Sequence, residues 1–327
     1  MNAVKKYICS MVGIILMLFI GLLVYLFYLS NNDTTLQMVY IPKIGKIDAD
    51  FWSFLLEGAQ AAADEFDVNL TLMFPESEND YVGQKQCIRD AIKQKPDAIL
   101  LTPCSYKEIT EAAQEIISAG IKLIVVDSAL DKQVQNVLVA TDNFEAGTKM
   151  GAFFKDHMPV SPQIGIVAHV RGASTAADRE AGFRSALGEY EKNVMKTVFC
   201  NSDYEKAYNL TVEMLEEYPD MNVLVGLNEY STLGAARAVR DLGLFGEVQI
   251  IGFDSAKEEV QMLEDGLLSA IVIQKPYNMG YLGIESAVKA VRGKKVDREI
   301  DSGSLLITKE NIYTGENQKL LFPFLDK

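Results

Sequence analysis

Polar and aromatic side chains recur directly after short apolar runs. Asp48-Ala49-Asp50-Phe51-Trp52 follows Gln37–Ile41, Asp127-Ser128 follows Ile121–Val126, and Thr141-Asp142-Asn143 follows Val137–Ala140. Arg171, Gly172, Ser174 and then Arg179 follow Gln163–Val170, and Asn228-Glu229 follows Asn222–Leu227. Asp254-Ser255 follows Gln249–Phe253, and Gln274-Lys275 follows Leu268–Ile273. Carboxylate, amide and guanidinium groups are planar and bind hydroxyls in donor–acceptor pairs. An aromatic face packs on the C–H face of a sugar ring and costs little entropy to hold. The set therefore suits a neutral, polyhydroxylated ligand. Several members also have a plainer reading. Asp142 and Ser255 fit helix N-caps as well as ligand contacts. Arg179, inside a helix, could pair with Asp178 or Glu180 on the surface. Phe51 and Trp52 could begin a helix core, but two adjacent aromatics cannot both face one core, so one should line a cleft.

Covalent and metal chemistry find no support. HExxH, GxSxG, GxxxxGKS/T and GxGxxG are all absent. His157 and His169 are the only histidines; one reads as a helix end before Met158-Pro159, the other as a strand end. Neither has a partner motif. Cys87 and Cys104 lie 17 apart with no second CxxC or His, which gives no metal signal. Cys87, Cys104 and Cys200 leave at least one thiol free or intermolecular, with a Cys87–Cys104 disulfide and buried free thiols both open. The expectation is a protein without catalytic residue, cofactor or metal, and not an enzyme.

The elements that position these residues alternate. Eleven apolar, β-branched runs, from Gln37–Ile41 to Ser304–Ile307, are separated by segments of helical period. The runs AILL, KLIVV, QIGIV, VLVG and VQIIG are apolar throughout, as strands buried on both faces are, which implies parallel sheets between helices. In Phe51–Phe66 the apolar positions Phe54, Leu55, Ala59, Ala62 and Phe66 share one helical face. About five βα units lie on each side of Ala140, which fits two doubly wound α/β lobes. Ligands of such sheets bind beyond the carboxyl ends of the strands, where the polar set lies.

The 327 residues are 49% hydrophobic and 23% charged, which excludes general disorder. With 31 basic and 45 acidic residues the net charge is −14, which argues against a nucleic-acid partner. The mean hydropathy of +0.06 traces to Tyr7–Leu29, 23 residues without a charge. A helix of that length spans ~35 Å, enough for a hydrocarbon core of ~30 Å. Lys5 and Lys6 precede it and Asn31, Asn32 and Asp33 follow, so the N-terminus is expected in the cytoplasm and the remainder outside. A cleaved signal peptide would have an apolar core of ~7–15 residues and a small-residue cleavage site. This run ends in bulky Tyr25-Leu26-Phe27-Tyr28-Leu29, and Cys9 precedes the apolar core, where it cannot mark a lipoprotein. The expectation is a single-pass cell-membrane protein with residues 1–35 as cytoplasmic stub and anchor. Residues 36–327 carry 29 basic and 44 acidic residues, a charge of −15.

Specific motifs sharpen this. They are Asp50-Phe51-Trp52 with Glu57-Gly58-Ala59, KPDAILLTP at Lys95–Pro103, IVVD at Ile124–Asp127 and ATDN at Ala140–Asn143. RxxGF at Arg179–Phe183, GLNEYSTLGAARA at Gly226–Ala238, IIGFD at Ile250–Asp254 and IQKP at Ile273–Pro276 follow in order. In order and spacing they resemble the type I periplasmic sugar-binding proteins, nearest the ribose-binding type, across residues 37–310. The resemblance implies two similar lobes joined by three crossovers that close on a ligand like a hinge. The crossovers would lie near Thr141–Asn143, Gln274–Pro276 and Asp301–Ser304. Lobe one would be 36–141 plus 276–302, and lobe two 142–275 plus 303–327. The family's aromatic platform falls on Phe51 and Trp52, and its lobe-one hydroxyl-binding Asp on Asp127. Its lobe-two Arg, Asn and Asp fall on Arg179, Asn228 and Asp254, and its crossover Gln on Gln274. Two positions depart. Ribose-type proteins often carry Asp-Arg after the fourth strand, where this chain has Asp127-Ser128. They often carry Asn two places before the first platform aromatic, where it has Ala49. The resemblance thus implies a sugar-like ligand without fixing it as ribose.

The implied role is a membrane-anchored sugar-binding protein delivering a sugar or polyol to the permease subunits of an ABC importer. The alternative is a sugar-sensing ectodomain docked on a membrane histidine kinase of a two-component system. A DNA-bound repressor would need a helix-turn-helix where the apolar run stands.

Overall fold

A computed structural model describes residues 11, 13–25, 35–44 and 50–321, in two units, Met1–Leu36 and Gln37–Lys327. In the first unit residues 11 and 13–25 are helical, with Met17 and Leu18 about 70% exposed. Among the described residues no helix is long and apolar enough to cross a membrane. The rest of the expected span, residues 7–10, 12 and 26–29, lies outside them, as do Asp48 and Ala49.

The second unit holds two α/β lobes, each built on a six-stranded sheet. The first sheet comprises β1 (Leu36–Ile41), β2 (Val68–Leu72), β3 (Ala98–Leu101), β4 (Lys122–Val126), β5 (Val137–Ala140) and β11 (Glu299–Asp301). Its order is β11-β5-β4-β3-β1-β2, with β1–β3, β3–β4, β4–β5 and β5–β11 parallel. The second sheet comprises β6 (Ile164–Ala168), β7 (Val194–Phe199), β8 (Val223–Gly226), β9 (Gln249–Phe253), β10 (Ala270–Gln274) and β12 (Ser304–Ile307). Its order, β12-β10-β9-β8-β6-β7, repeats the first. In each sheet the order reverses beside its first strand, which opens a crevice at the carboxyl ends.

β12 departs from these parallel pairings, running antiparallel to β10. The short link Ser302-Gly303 joins β11 of one sheet to β12 of the other. The chain therefore enters the second sheet at the end where β10 leaves it, and must run the opposite way. The chain passes between sheets after β5, after β10 and after β11.

Each lobe holds a helix pair at backbone contact. Helix α1 (Asp50–Glu65) packs on α9 (Pro276–Val291) in the first lobe, and α4 (Asn143–His157) packs on α5 (Ser174–Leu187) in the second. A Cβ on Gly182 would lie 2.0 Å from the Phe144 carbonyl oxygen, and one on Gly147 would lie 2.1 Å from that of Arg179. Only glycine permits that approach. The RxxGF motif thus reads as one device: Gly182 lets α5 close on α4, Phe183 is fully buried, and Arg179 turns toward the cleft. The cores are aliphatic strand residues such as Ile99, Val125, Ile166 and Val225, each fully buried. Cys87, Cys104 and Cys200 are free thiols, so the Cys87–Cys104 disulfide is not formed. Burial pushes all three thiols up.

Candidate ligand-binding cleft

Two aspartates hold equivalent places. Asp127 directly follows β4, the fourth strand of the first lobe, and Asp254 directly follows β9, the fourth of the second. Both adopt a left-handed backbone, φ 67° and 84°. Asp is one of the few side chains that tolerates this, and such conformations gather at functional sites. The turn aims both carboxylates into the space between the lobes, with Asp127 4% and Asp254 6% exposed.

That space is a cavity between the lobes. All seven side chains named above as site residues line it: Phe51, Trp52, Asp127, Arg179, Asn228, Asp254 and Gln274. Lys43, Glu78, His169, Thr175, Glu229 and Tyr230 complete the wall. Phe51 and Trp52 open α1 and meet edge to face, centroids 4.9 Å apart at 88°. Both reach the cavity, because the helix begins there and neither side chain has to turn into the lobe core. Trp52 Nε1 donates to Glu78 Oε1 at 3.0 Å, and Ser202 Oγ of the second lobe donates to Glu78 Oε2.

In the second lobe Arg179 is 3% exposed. Its Nε donates to Asn143 Oδ1 and its Nη1 to the Leu227 carbonyl, both at 2.8 Å, and its guanidinium stacks 3.7 Å from the Phe253 ring centroid. The surface ion pair with Asp178 or Glu180 is not what this side chain makes; Glu180 pairs with Arg184 instead. Two of five guanidinium N–H groups are thereby committed and the planar group is held rigid. Asp254 Oδ1 accepts from Gln274 Nε2 at 2.7 Å and Oδ2 from the Glu229 backbone N–H at 3.0 Å. Burial pushes its carboxyl up, and Arg179 with these donors pulls it back. Asn228 caps α7 (Glu229–Asp241), accepting from Ser231 N at 3.0 Å in a capping box. Asn228 therefore serves as a cap and also reaches the cavity. Asp142 caps α4, accepting from Glu145 N at 2.8 Å. Ser255 lies beside a separate hollow with Phe54, Pro276 and Tyr277. Arg171 is exposed and stacks on Phe199, 4.1 Å from its centroid.

The six other wall residues, Lys43, Glu78 and His169 among them, were not assigned to the site from the sequence. Lys43, beyond β1, donates to Asp127 Oδ2 at 2.9 Å and Ser128 Oγ at 2.6 Å while 4% exposed. It places a cation beside Asp127 and Ser128. Glu78 sits in the coil after β2. His169 follows β6, and its Nε2 bonds Thr175 Oγ1 at 2.8 Å. Burial, with Arg179 and Lys43 nearby, holds its ring well below the usual histidine range, so it is neutral. His157 ends α4, its Nδ1 bonding the Phe153 carbonyl at 2.9 Å. Among the described residues no group of His, Cys, Asp and Glu is placed to hold a metal ion. The wall offers two cations, four carboxylates, amides and aromatic rings, an arrangement that favours neutral hydroxyls over an anion.

A family model described as a periplasmic binding protein domain matches residues 39–295. The ribose import binding protein of Bacillus subtilis is 26% identical over 283 residues, 86% of this chain and 90% of that one. Among solved structures, a sugar transporter from Clostridium phytofermentans is 45% identical with a TM-score of 0.79, covering 83% of this chain and 98% of its own. An ABC transporter solute-binding protein from Agrobacterium vitis with bound D-fucose is 28% identical with a TM-score of 0.81, covering 88% and 100%.

Proposed function

Because the chain belongs to the periplasmic-binding-protein family, among its type I sugar-binding members, we propose that it captures a monosaccharide or similar polyol between its lobes for an ABC importer. The observation that carries this is the convergence of Phe51, Trp52 and Asp127 from one lobe with Arg179, Asn228, Asp254 and Gln274 on one cavity. The ring would rest on Phe51 and Trp52 while the planar groups take its hydroxyls. The lobes, 36–141 plus 276–302 and 142–275 plus 303–327, would differ little in energy between open and closed, and a ligand touching both would favour closure.

The reading places this binding unit outside the cell, held by the N-terminal run. Its support is the uncharged stretch Tyr7–Leu29, on whose described helical part Ile14 to Tyr25 carry large exposed apolar side chains. A fixed anchor also suits a second role, sugar-dependent docking on a membrane histidine kinase.

Calorimetric titration of the full chain with D-ribose, D-allose, D-galactose and D-fucose tests the ligand class. Saturable binding of at least one, with none of ribose 5-phosphate or gluconate, is expected. Binding of the anions and none of the sugars contradicts the reading. Sugar-dependent pull-down of a kinase ectodomain, with no transport defect on deletion, would replace importer by sensor.

A further inference from the structure

His169 is 4% exposed and lines the cavity. Its two ring nitrogens differ. Nε2 is engaged by Thr175 Oγ1 at 2.8 Å, which fixes the ring, whereas Nδ1 is buried without a hydrogen-bond partner. Buried polar atoms are nearly always paired, so an orphan on a cavity wall points to a group that enters the cavity. Thr175 and Arg179 stand one helical turn apart on α5 and line the same wall, so His169, Thr175 and Arg179 form one polar face. Opposite chemistry waits at Gln274, whose Nε2 is spent on Asp254 while its Oε1 is likewise buried and unpartnered.

We propose that His169 is a specificity-determining ligand contact whose Nδ1 hydrogen-bonds one hydroxyl of the bound sugar; this rests on the sugar-binding reading above. The threonine hydroxyl can donate to Nε2 or accept from it, so the neutral ring presents Nδ1 as N–H or as a lone pair. A hydroxyl satisfies either form. A deoxy carbon satisfies neither and leaves the nitrogen buried and unpaired, which is how a polar site discriminates strongly.

The test is calorimetric titration of the full chain as wild type, His169→Phe, His169→Asn and His169→Gln. The probes are D-ribose, D-allose, D-galactose and D-fucose, then the monodeoxy derivatives of whichever binds tightest. His169→Phe is expected to weaken that sugar about 10-fold or more. One monodeoxy derivative should show the same loss on wild type and no further loss on His169→Phe. The Asn amide reaches the Nδ1 position and the Gln amide the Nε2 position. His169→Asn should therefore keep more affinity than His169→Gln, a comparison that holds even if His169→Phe fails to fold. Equal weakening of every derivative, or equal loss in the Asn and Gln variants, overturns the inference and leaves the sugar site standing. Absence of binding to any of the four sugars by wild type removes the sugar reading itself.

Discussion

Lys43 Nζ lies 2.9 Å from Asp127 Oδ2 with both side chains all but removed from water. A cation from beyond β1 thus pairs with the carboxylate that follows the fourth strand. Taking two charges out of water is costly, and their attraction offsets this only while both are present. Lys43→Met should therefore lower folding stability by about 3–5 kcal/mol, because Asp127 is left buried and uncompensated. Adding Asp127→Asn should recover most of that loss. Denaturant unfolding of the four chains of this cycle measures it; purely additive losses would mean the pair is not coupled.

Arg179 is held by Asn143, Leu227 and the Phe253 ring at once. Lysine keeps the charge but has neither the fork nor the plane. Arg179→Lys is expected to weaken sugar binding about 100-fold, a loss of ~3 kcal/mol. Calorimetry with the tightest sugar measures it, and an affinity within about twofold of wild type would show that charge alone suffices.

Gly182→Ala would place a methyl 2.0 Å from the Phe144 carbonyl oxygen. The helices must part, and Arg179 moves with α5. A stability loss of about 1–3 kcal/mol is expected, together with weaker sugar binding. Unchanged affinity alongside the stability loss would separate the helix contact from the placing of Arg179.

Glu259 is fully buried in α8 (Lys257–Asp265), with Oε2 accepting from Ala256 N at 2.8 Å. Burial, then the nearby Asp254 and Glu229 carboxylates, raises its carboxyl well above the usual range. The folded state holds this proton more tightly than the unfolded chain. Its contribution is therefore complete below about pH 4 and is lost as pH rises toward the raised value. Glu259→Gln keeps the acceptor for Ala256 and removes the titration. Its stability relative to wild type should grow from pH 5 to pH 8, read by chemical denaturation at each pH; parallel curves would contradict this.

Sequence alone exposed those parts of the fold that rest on local pattern. AILL and KLIVV are strands because a sheet covered on both faces needs unbroken apolar runs. β11, Glu-Ile-Asp, was missed because a three-residue edge strand has no apolar run to show. β12 was expected as a strand at Ser304–Ile307, but not its antiparallel direction, which depends on where the chain re-enters the second sheet. Arg179 was ambiguous until the family motif was considered, since a lone arginine on a helix pairs with solvent-facing acids by default. Lys43, Glu78 and His169 gave no signal, because an ordinary lysine, glutamate and strand-end histidine acquire meaning only when folding brings them to one cavity.

Trp52 is the chain's single tryptophan, 5% exposed, on the cavity wall with its indole N–H on Glu78. Its fluorescence therefore reports on that cavity and nowhere else. Titrating the full chain with the sugar that calorimetry finds tightest should change Trp52 emission saturably, with the same dissociation constant by both methods. Calorimetric binding that leaves Trp52 emission unchanged would place the sugar elsewhere and contradict the account.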